Sequence, residues 1–167
     1  MLSAIKAKIL DKSTLRATLT RWRLFDQKIV FTNGCFDLLH YGHLHYLAAA
    51  KSLGDKLIIG INSADSVKKL KGNHRPINDD LTRYYLLASL SFVDALIEFD
   101  TATPYELIKT VQPNILVKGG DWQPEQIVGA DLVLANGGSV KSLPFIEGYS
   151  TTNIETKILE AERQKGA

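Results

Sequence analysis

The chain has a single cysteine, Cys35, among its 167 residues, so no disulfide can form within it and a reducing compartment is expected. It also lacks an excess of charge of either sign. Twenty basic residues stand against 18 acidic ones, a formal charge of +2. That near-balance argues against a nucleic-acid-binding surface, which needs a marked basic excess. No apolar run is long enough to cross a membrane. The N-terminus lacks the uninterrupted apolar core of a signal peptide. Internal repeats and low-complexity segments are absent too. These absences lead to the expectation of a cytoplasmic protein with neither nucleic-acid nor membrane partners. The length suits one domain with a proper core.

What is present alternates between strand and helix patterns. Residues 1–27 read as one or two helices packed outside the domain, with Ser13 and Thr14 at a helix start and Leu15, Leu19 and Trp22 at helical spacing. Short apolar runs near 28–32, 56–61, 93–98, 114–117 and 139–143 read as five strands. Between them lie helix signals: Leu44, Leu47 and Ala48 before Gly54; a short helix within 63–70; and Asn78-Asp79-Asp80 opening a helix that carries Leu81, Leu86, Leu87 and Leu90. Thr103-Pro104-Tyr105-Glu106 has the form of a capping box with proline first, and Pro113 stops that helix. An irregular helix is expected over 126–136. A last one has Thr152 and Glu155 at capping-box spacing and Ile154, Ile158 and Ala161 on one face. The alternation predicts an α/β fold with a doubly wound, five-stranded parallel sheet. An N-terminal helical extension (1–27) would precede the main unit (28–167), within a single domain overall.

Chemistry concentrates where strands end. The first long strand breaks at Asn33-Gly34 and delivers His40 and His43 to a helix start, where free N–H groups attract anions. Gly42 removes a side chain where backbone or ligand must come close. From these residues alone His40 and His43 could also be a metal pair with Asp37, or His43 could simply cap or pack. Cys35 reads as a small packing residue. The polar loop over 62–78 carries Lys68, Lys69, Lys71, His74 and Arg75 at the carboxyl end of a strand, where open α/β sheets bind ligands. Lys71 and Arg75 read as a clamp on phosphates. Arg83 either serves those phosphates or pairs with Asp79 or Asp80. Lys118-Gly119-Gly120-Asp121 follows another strand, with Asp121 facing a ribose or sugar hydroxyl or simply making the turn. Trp122 is either a stacking surface or loop packing. Ser150, Thr151 and Thr152 place three hydroxyls at a helix N-terminus, an anion site or a simple cap.

The stretch Thr32-Asn33-Gly34-Cys35-Phe36-Asp37-Leu38-Leu39-His40-Tyr41-Gly42-His43 resembles the signature of the cytidylyltransferase-like nucleotidyltransferases. Leu70-Lys71-Gly72-Asn73-His74-Arg75-Pro76-Ile77-Asn78, Leu116 to Trp122 and Tyr149 to Ile154 sharpen the resemblance, towards the D-glycero-D-manno-heptose 1-phosphate adenylyltransferases. That likeness implies a Rossmann-like fold and transfer of AMP from ATP, with Mg²⁺ on the triphosphate and no metal ligand from the protein. It implies a product, ADP-heptose, used for lipopolysaccharide or other surface polysaccharide. It also implies a homodimer, and a stand-alone form working beside a separate heptose kinase. Residue by residue, it assigns the catalytic role to His40, His43 and Lys71. It gives the nucleotide Thr32, Asn33, Phe36, Arg83, Gly119, Asp121, Ser150, Thr151 and Thr152 besides the histidines. The heptose phosphate would meet Asp37, Asn62, Arg75 and Lys118. Three rivals stay open: a glycerol 3-phosphate cytidylyltransferase, a nucleotide-binding module without activity, and a zinc hydrolase using His40, His43 and Asp37.

Overall fold

A computed structural model describes residues 1–165. In chain order these form α1 (Leu2–Lys6), β1 (Ile9–Leu10), α2 (Lys12–Leu24), β2 (Ile29–Gly34), α3 (Tyr41–Lys51), β3 (Lys56–Asn62), α4 (Ala64–Lys71) and α5 (Asp80–Ser89). Then come β4 (Ala95–Phe99), α6 (Tyr105–Val111), β5 (Ile115–Gly119), a 3₁₀ turn (Pro124–Gln126), α7 (Ala130–Ala135), β6 (Ser139–Leu143) and α8 (Thr151–Lys165). The strands make one sheet in the order β1-β4-β3-β2-β5-β6, every pair parallel.

Both faces are covered, as the near-continuous apolar strands require. Ile29 and Phe31 of β2, with Ile58 of β3, pack on one face beneath Leu15, Leu19 and Trp22 of α2 and Ile108 and Val111 of α6. Val30, Leu57, Ile59 and Ile61 point the other way, beneath Tyr46, Leu47 and Ala50 of α3 and Tyr84 and Leu87 of α5. The two-residue alternation of side chains along each strand thus feeds two separate cores.

The sheet has six strands, not five. Ile9 and Leu10 pair with Leu96 and Ile97 at the β4 edge, inside the segment expected to be only helical. Two residues are too few to show a strand period in sequence. Several helix ends also differ. Asp11 caps α2, its carboxylate accepting from the Ser13 and Thr14 N–H groups at 2.9 and 2.8 Å. Thr103 makes no cap on α6, whose N-cap is Pro104. The expected helix over 126–136 is a 3₁₀ turn and a separate α7. The buried face of α5 is Tyr84, Leu87 and Ala88, while Leu81 and Leu86 are exposed. Ser150 caps α8, accepting from the Asn153 N–H at 3.0 Å, so Thr152 and Glu155 form no capping box there. No residue of α8 is buried, including the expected Ile154–Ile158–Ala161 face. No helix among the described residues is long and apolar enough to cross a membrane.

The order of strands positions everything that follows. From β2 the chain proceeds outward through β3 to β4, then returns to β5 on the opposite side of β2. The sheet therefore switches direction between β2 and β5, the place where open α/β sheets leave a crevice at the carboxyl ends of the strands. The β2–β5 ladder registers only Val30 with Ile115 and Phe31 with Leu116. Beyond that the strands part. Tyr46 of α3 bridges the opening, its hydroxyl 2.5 Å from Thr32 Oγ1 and 3.3 Å from the Val117 carbonyl oxygen.

Candidate active site

The crevice holds two adjoining cavities. The smaller, about 150 Å³, is lined by His43, Lys71, Gly119, Phe145 and Thr151 among others. The larger, about 400 Å³, extends towards Asn62, Phe99, Thr103 and Trp122. They share one wall: Asn33, Gly34 and Cys35 from the end of β2, and Lys118 from the end of β5. The two strands that part at the switch point thus supply the partition between the cavities.

His40 is the N-cap of α3 and His43 lies within its first turn. Their rings stack with centroids 3.8 Å apart, and Phe36 meets His43 edge-on at 5.4 Å. Gly42 makes this possible, since a Cβ there would press on the His40 ring at 3.1 Å and on Tyr149 at 3.1 Å. Burial holds the His40 pKa below its ordinary value. His43 is depressed further, to about 4, by burial first and then by the charges of His40 and Lys71. Both rings are therefore neutral at pH 7. Their Nδ1 atoms are buried and have no hydrogen-bond partner among the described residues. Lys71, the last residue of α4, is exposed and reaches the smaller cavity across the loop.

A buried histidine kept neutral makes stability depend on pH. The unfolded chain takes up a proton near the ordinary imidazole value, while folded His43 resists it until about pH 4. The stabilising difference is whole above pH ~6.5 and is lost as the pH falls towards 4. Urea unfolding should therefore show a stability loss on the order of 2 kcal/mol between pH 7 and 4.5 that His43→Gln lacks. Equal slopes in the two proteins would mean that the ring is not held neutral.

The carboxylate expected beside the acceptor is committed to the fold. Asp37 is buried and accepts from the Ile77 N–H at 2.9 Å, the Asn78 N–H at 2.9 Å and Arg75 Nη1 at 2.7 Å. Burial alone would raise its pKa, but these donors outweigh it and hold the carboxyl below the usual range. Arg75 is itself buried and also pairs with Glu155 of α8. So Asp37 and Arg75 tie the loop over 75–78 to α8 and the histidine turn. The cause is tertiary, because the partners lie 38 or more residues apart.

Arg83 is fully buried. Its guanidinium donates to the Cys35 carbonyl at 2.5 Å, the Asn62 carbonyl at 2.6 Å and Asp80 Oδ1 at 2.6 Å. Of the two readings its sequence position allowed, the structure selects the pair with Asp80 and adds a brace between the carboxyl ends of β2 and β3.

The remaining candidates divide. Asn33, Phe36, His43, Lys71, Gly119 and Thr151 converge on the smaller cavity. Thr32 lies beneath its floor, bonded to Tyr46. Ser150 caps α8, and Thr152 and Asp121 are exposed and line neither cavity. Asn62 lines the larger cavity, and Lys118 lines both. Burial lowers the Lys118 pKa, and its amino group has no salt-bridge partner among the described residues. Tyr46 and Phe145 line the smaller cavity without any sequence motif to mark them. Burial pushes the Tyr46 hydroxyl up to about 12, so it remains a donor. Phe145 lies over Gly119, where a Cβ would meet its ring at 2.6 Å. The paired glycines were the signal for that close approach, but nothing in the sequence says which ring makes it.

Among the described residues, no group of three or more histidine, cysteine, aspartate or glutamate side chains comes together to hold a metal. With Asp37 committed to Arg75 and the backbone, the donor set does not suit a protein-held zinc.

Residues 31–157 match the family described as cytidylyltransferase-like. The bifunctional protein HldE of Histophilus somni is 53% identical over 150 residues, which is 90% of this chain and 32% of that protein. The protein of the same name from Geobacter metallireducens is 50% identical over 155 residues, 93% of this chain and 32% of that protein. The chain thus spans about a third of the length of the curated relatives it matches. A solved lipopolysaccharide core biosynthesis protein from Thermoplasma volcanium superposes with a TM-score of 0.57 at 31% identity, covering 74% of this chain and 99% of that one. Pantoate-beta-alanine ligase from Francisella tularensis, at 18% identity and a TM-score of 0.58, shares the fold; the alignment covers 88% of this chain and 75% of that one.

Proposed function

The chain belongs to the cytidylyltransferase-like family and is a nucleotidyltransferase, and we propose that it transfers AMP from ATP to D-glycero-D-manno-heptose 1-phosphate. The products are ADP-heptose, for lipopolysaccharide or another surface polysaccharide, and pyrophosphate. One observation carries this reading: two cavities meet at a wall formed by the ends of β2 and β5, with the histidine pair beside it and Lys118, which has no salt-bridge partner among the described residues, upon it. That is what a displacement between two phosphorylated substrates requires. The extent of the likeness to the bifunctional HldE proteins supports this reading, and the name of the Thermoplasma neighbour supports a product used in lipopolysaccharide.

In the reaction an acceptor phosphate oxygen attacks the α-phosphorus of ATP. The bond from that phosphorus to the bridging oxygen breaks, and pyrophosphate carries the electron pair away. The attacking oxygen is already ionised at neutral pH, so no general base is needed. Catalysis is positioning together with stabilisation of charge on the transferring group. The triphosphate lies in the smaller cavity, against the N-terminal turns of α3 and α8. His40 and His43, neutral and with unpartnered ring nitrogens, each donate one N–H to phosphate oxygens. Lys71 adds a positive charge at the mouth, and the Thr151 hydroxyl a further donor. Lys118 stands on the shared wall to meet the acceptor phosphate. Magnesium arriving on the triphosphate would neutralise charge on the leaving pyrophosphate.

The test is pyrophosphate release with ATP, GTP or CTP, paired with heptose 1-phosphate of either anomer or with glycerol 3-phosphate. Release from ATP with heptose 1-phosphate is expected. Release only from CTP with glycerol 3-phosphate would keep the mechanism and replace the acceptor. No release from any pair, in folded protein, would leave a nucleotide-binding module.

A further inference from the structure

The larger cavity contains features that phosphate transfer alone does not explain. Trp122 is half-exposed, yet both its ring and its backbone are anchored. Its Nε1–H donates to the Gly119 carbonyl at 3.1 Å, and its backbone N–H donates to Ser142 Oγ at 3.1 Å. Ser142 in turn donates to the Gly120 carbonyl. Gly120, at φ 110°, lets the chain fold back so that the indole lies 3.1 Å from where a Cβ would stand. An exposed aromatic ring ordinarily gains little from being fixed, because ordering it costs side-chain entropy. Here the fixed ring forms part of the wall of a cavity of about 400 Å³, within the size range of small-molecule sites. The rest of the lining is mixed. Phe99 and Ile127 are apolar, whereas Thr103 and Gln126 offer a hydroxyl and an amide. Lys118 closes the end that faces the smaller cavity.

That combination suits a ligand with a charged end, several hydroxyls and an exposed C–H face. We infer that Trp122 is a specificity-determining residue for the acceptor, its indole packing on the carbon skeleton of a sugar 1-phosphate whose phosphate meets Lys118 at the shared wall. Thr103 and Gln126 supply hydrogen-bond partners for the hydroxyls. A three-carbon acceptor with its phosphate at Lys118 leaves much of this cavity unfilled, while a sugar ring extends along it. The inference rests on the adenylyl transfer proposed above and adds which residue reads the acceptor.

The chain has two tryptophans, and Trp22 is buried under α2 in the far core, so Trp122 is the fluorophore next to the cavity. Adding heptose 1-phosphate to the whole protein should change the emission saturably. In Trp122→Phe that change should vanish, because the remaining tryptophan, Trp22, lies in the far core. Trp122→Ala should raise the KM for heptose 1-phosphate about tenfold, as expected for loss of a stacked aromatic contact, with the KM for ATP unchanged. A merely structural tryptophan would shift both constants or neither. Turnover with an unchanged acceptor KM in Trp122→Ala would overturn the inference and leave the proposed function standing. Saturable binding of heptose 1-phosphate without turnover would keep the pocket and remove adenylyl transfer. Neither binding nor turnover would remove both.

Discussion

His43→Ala is expected to reduce the rate of pyrophosphate release by about 10²–10³ while leaving the protein folded, the loss typical of removing one preorganised donor from a transition state. The ring sits in the smaller cavity with its Nδ1 unpartnered, so the fold does not depend on its hydrogen bonds. What the fold provides is place. Phe36 and His40 hold the ring on two sides, and Gly42 keeps the helix start open for the stack. The donor therefore costs no reorganisation when charge develops on the phosphate. ATP affinity should fall much less than turnover, because the interaction strengthens in the transition state. Circular dichroism and urea unfolding at pH 7 check the fold, and steady-state kinetics at saturating substrates check the rate. Near-wild-type turnover in a folded variant would remove His43 from the chemistry.

Arg83→Met is expected to act in the opposite way, on stability. Methionine keeps much of the buried volume but leaves the Cys35 and Asn62 carbonyl oxygens and Asp80 without their shared donor. Buried groups left unpaired cost roughly 1–3 kcal/mol each. A loss of about 3 kcal/mol is the sum to expect after partial rescue by water, or a fall in Tm of about 10 °C for a chain of this size. Arg83→Lys should not restore it, because one ammonium cannot span both strand ends in the geometry of the guanidinium. The measurement is thermal and urea unfolding without nucleotide. Unchanged stability together with a tenfold weaker ATP affinity would return Arg83 to the phosphates.

Arg83 also marks how far the sequence could be read. Its position one turn inside a capped helix is plain, and that position allows either the phosphates or one of the acids Asp79 and Asp80 as its partner. Choosing between them needed to know that the ends of β2 and β3 stop beside that turn. Asp37 and Arg75 illustrate the same limit. Each lies in a ligand-like motif, and each is of a residue type that binds phosphates or hydroxyls. They are 38 residues apart and bonded to one another, a pairing that no local pattern encodes. Ile9–Leu10 was missed for a different reason, since an edge strand of two residues carries no period. Trp122 could be placed after a strand and a glycine pair, but a fixed ring and a loop anchor look identical in sequence.

The sequence by itself determined the class of fold, the five longer strands, the histidine turn and the family. These depend on apolar periodicity, turn residues and short motifs, all of which are local. Tertiary structure decided which side chains are free to meet a ligand. The parting of β2 from β5 produced two cavities with a common wall. Burial made the histidines neutral, and long-range pairing took Asp37, Arg75 and Arg83 into the framework. Those outcomes depend on which charged groups find partners across the fold, because a buried charge must be paired or neutralised. The partners come from distant parts of the chain, brought together by a sheet that changes direction once.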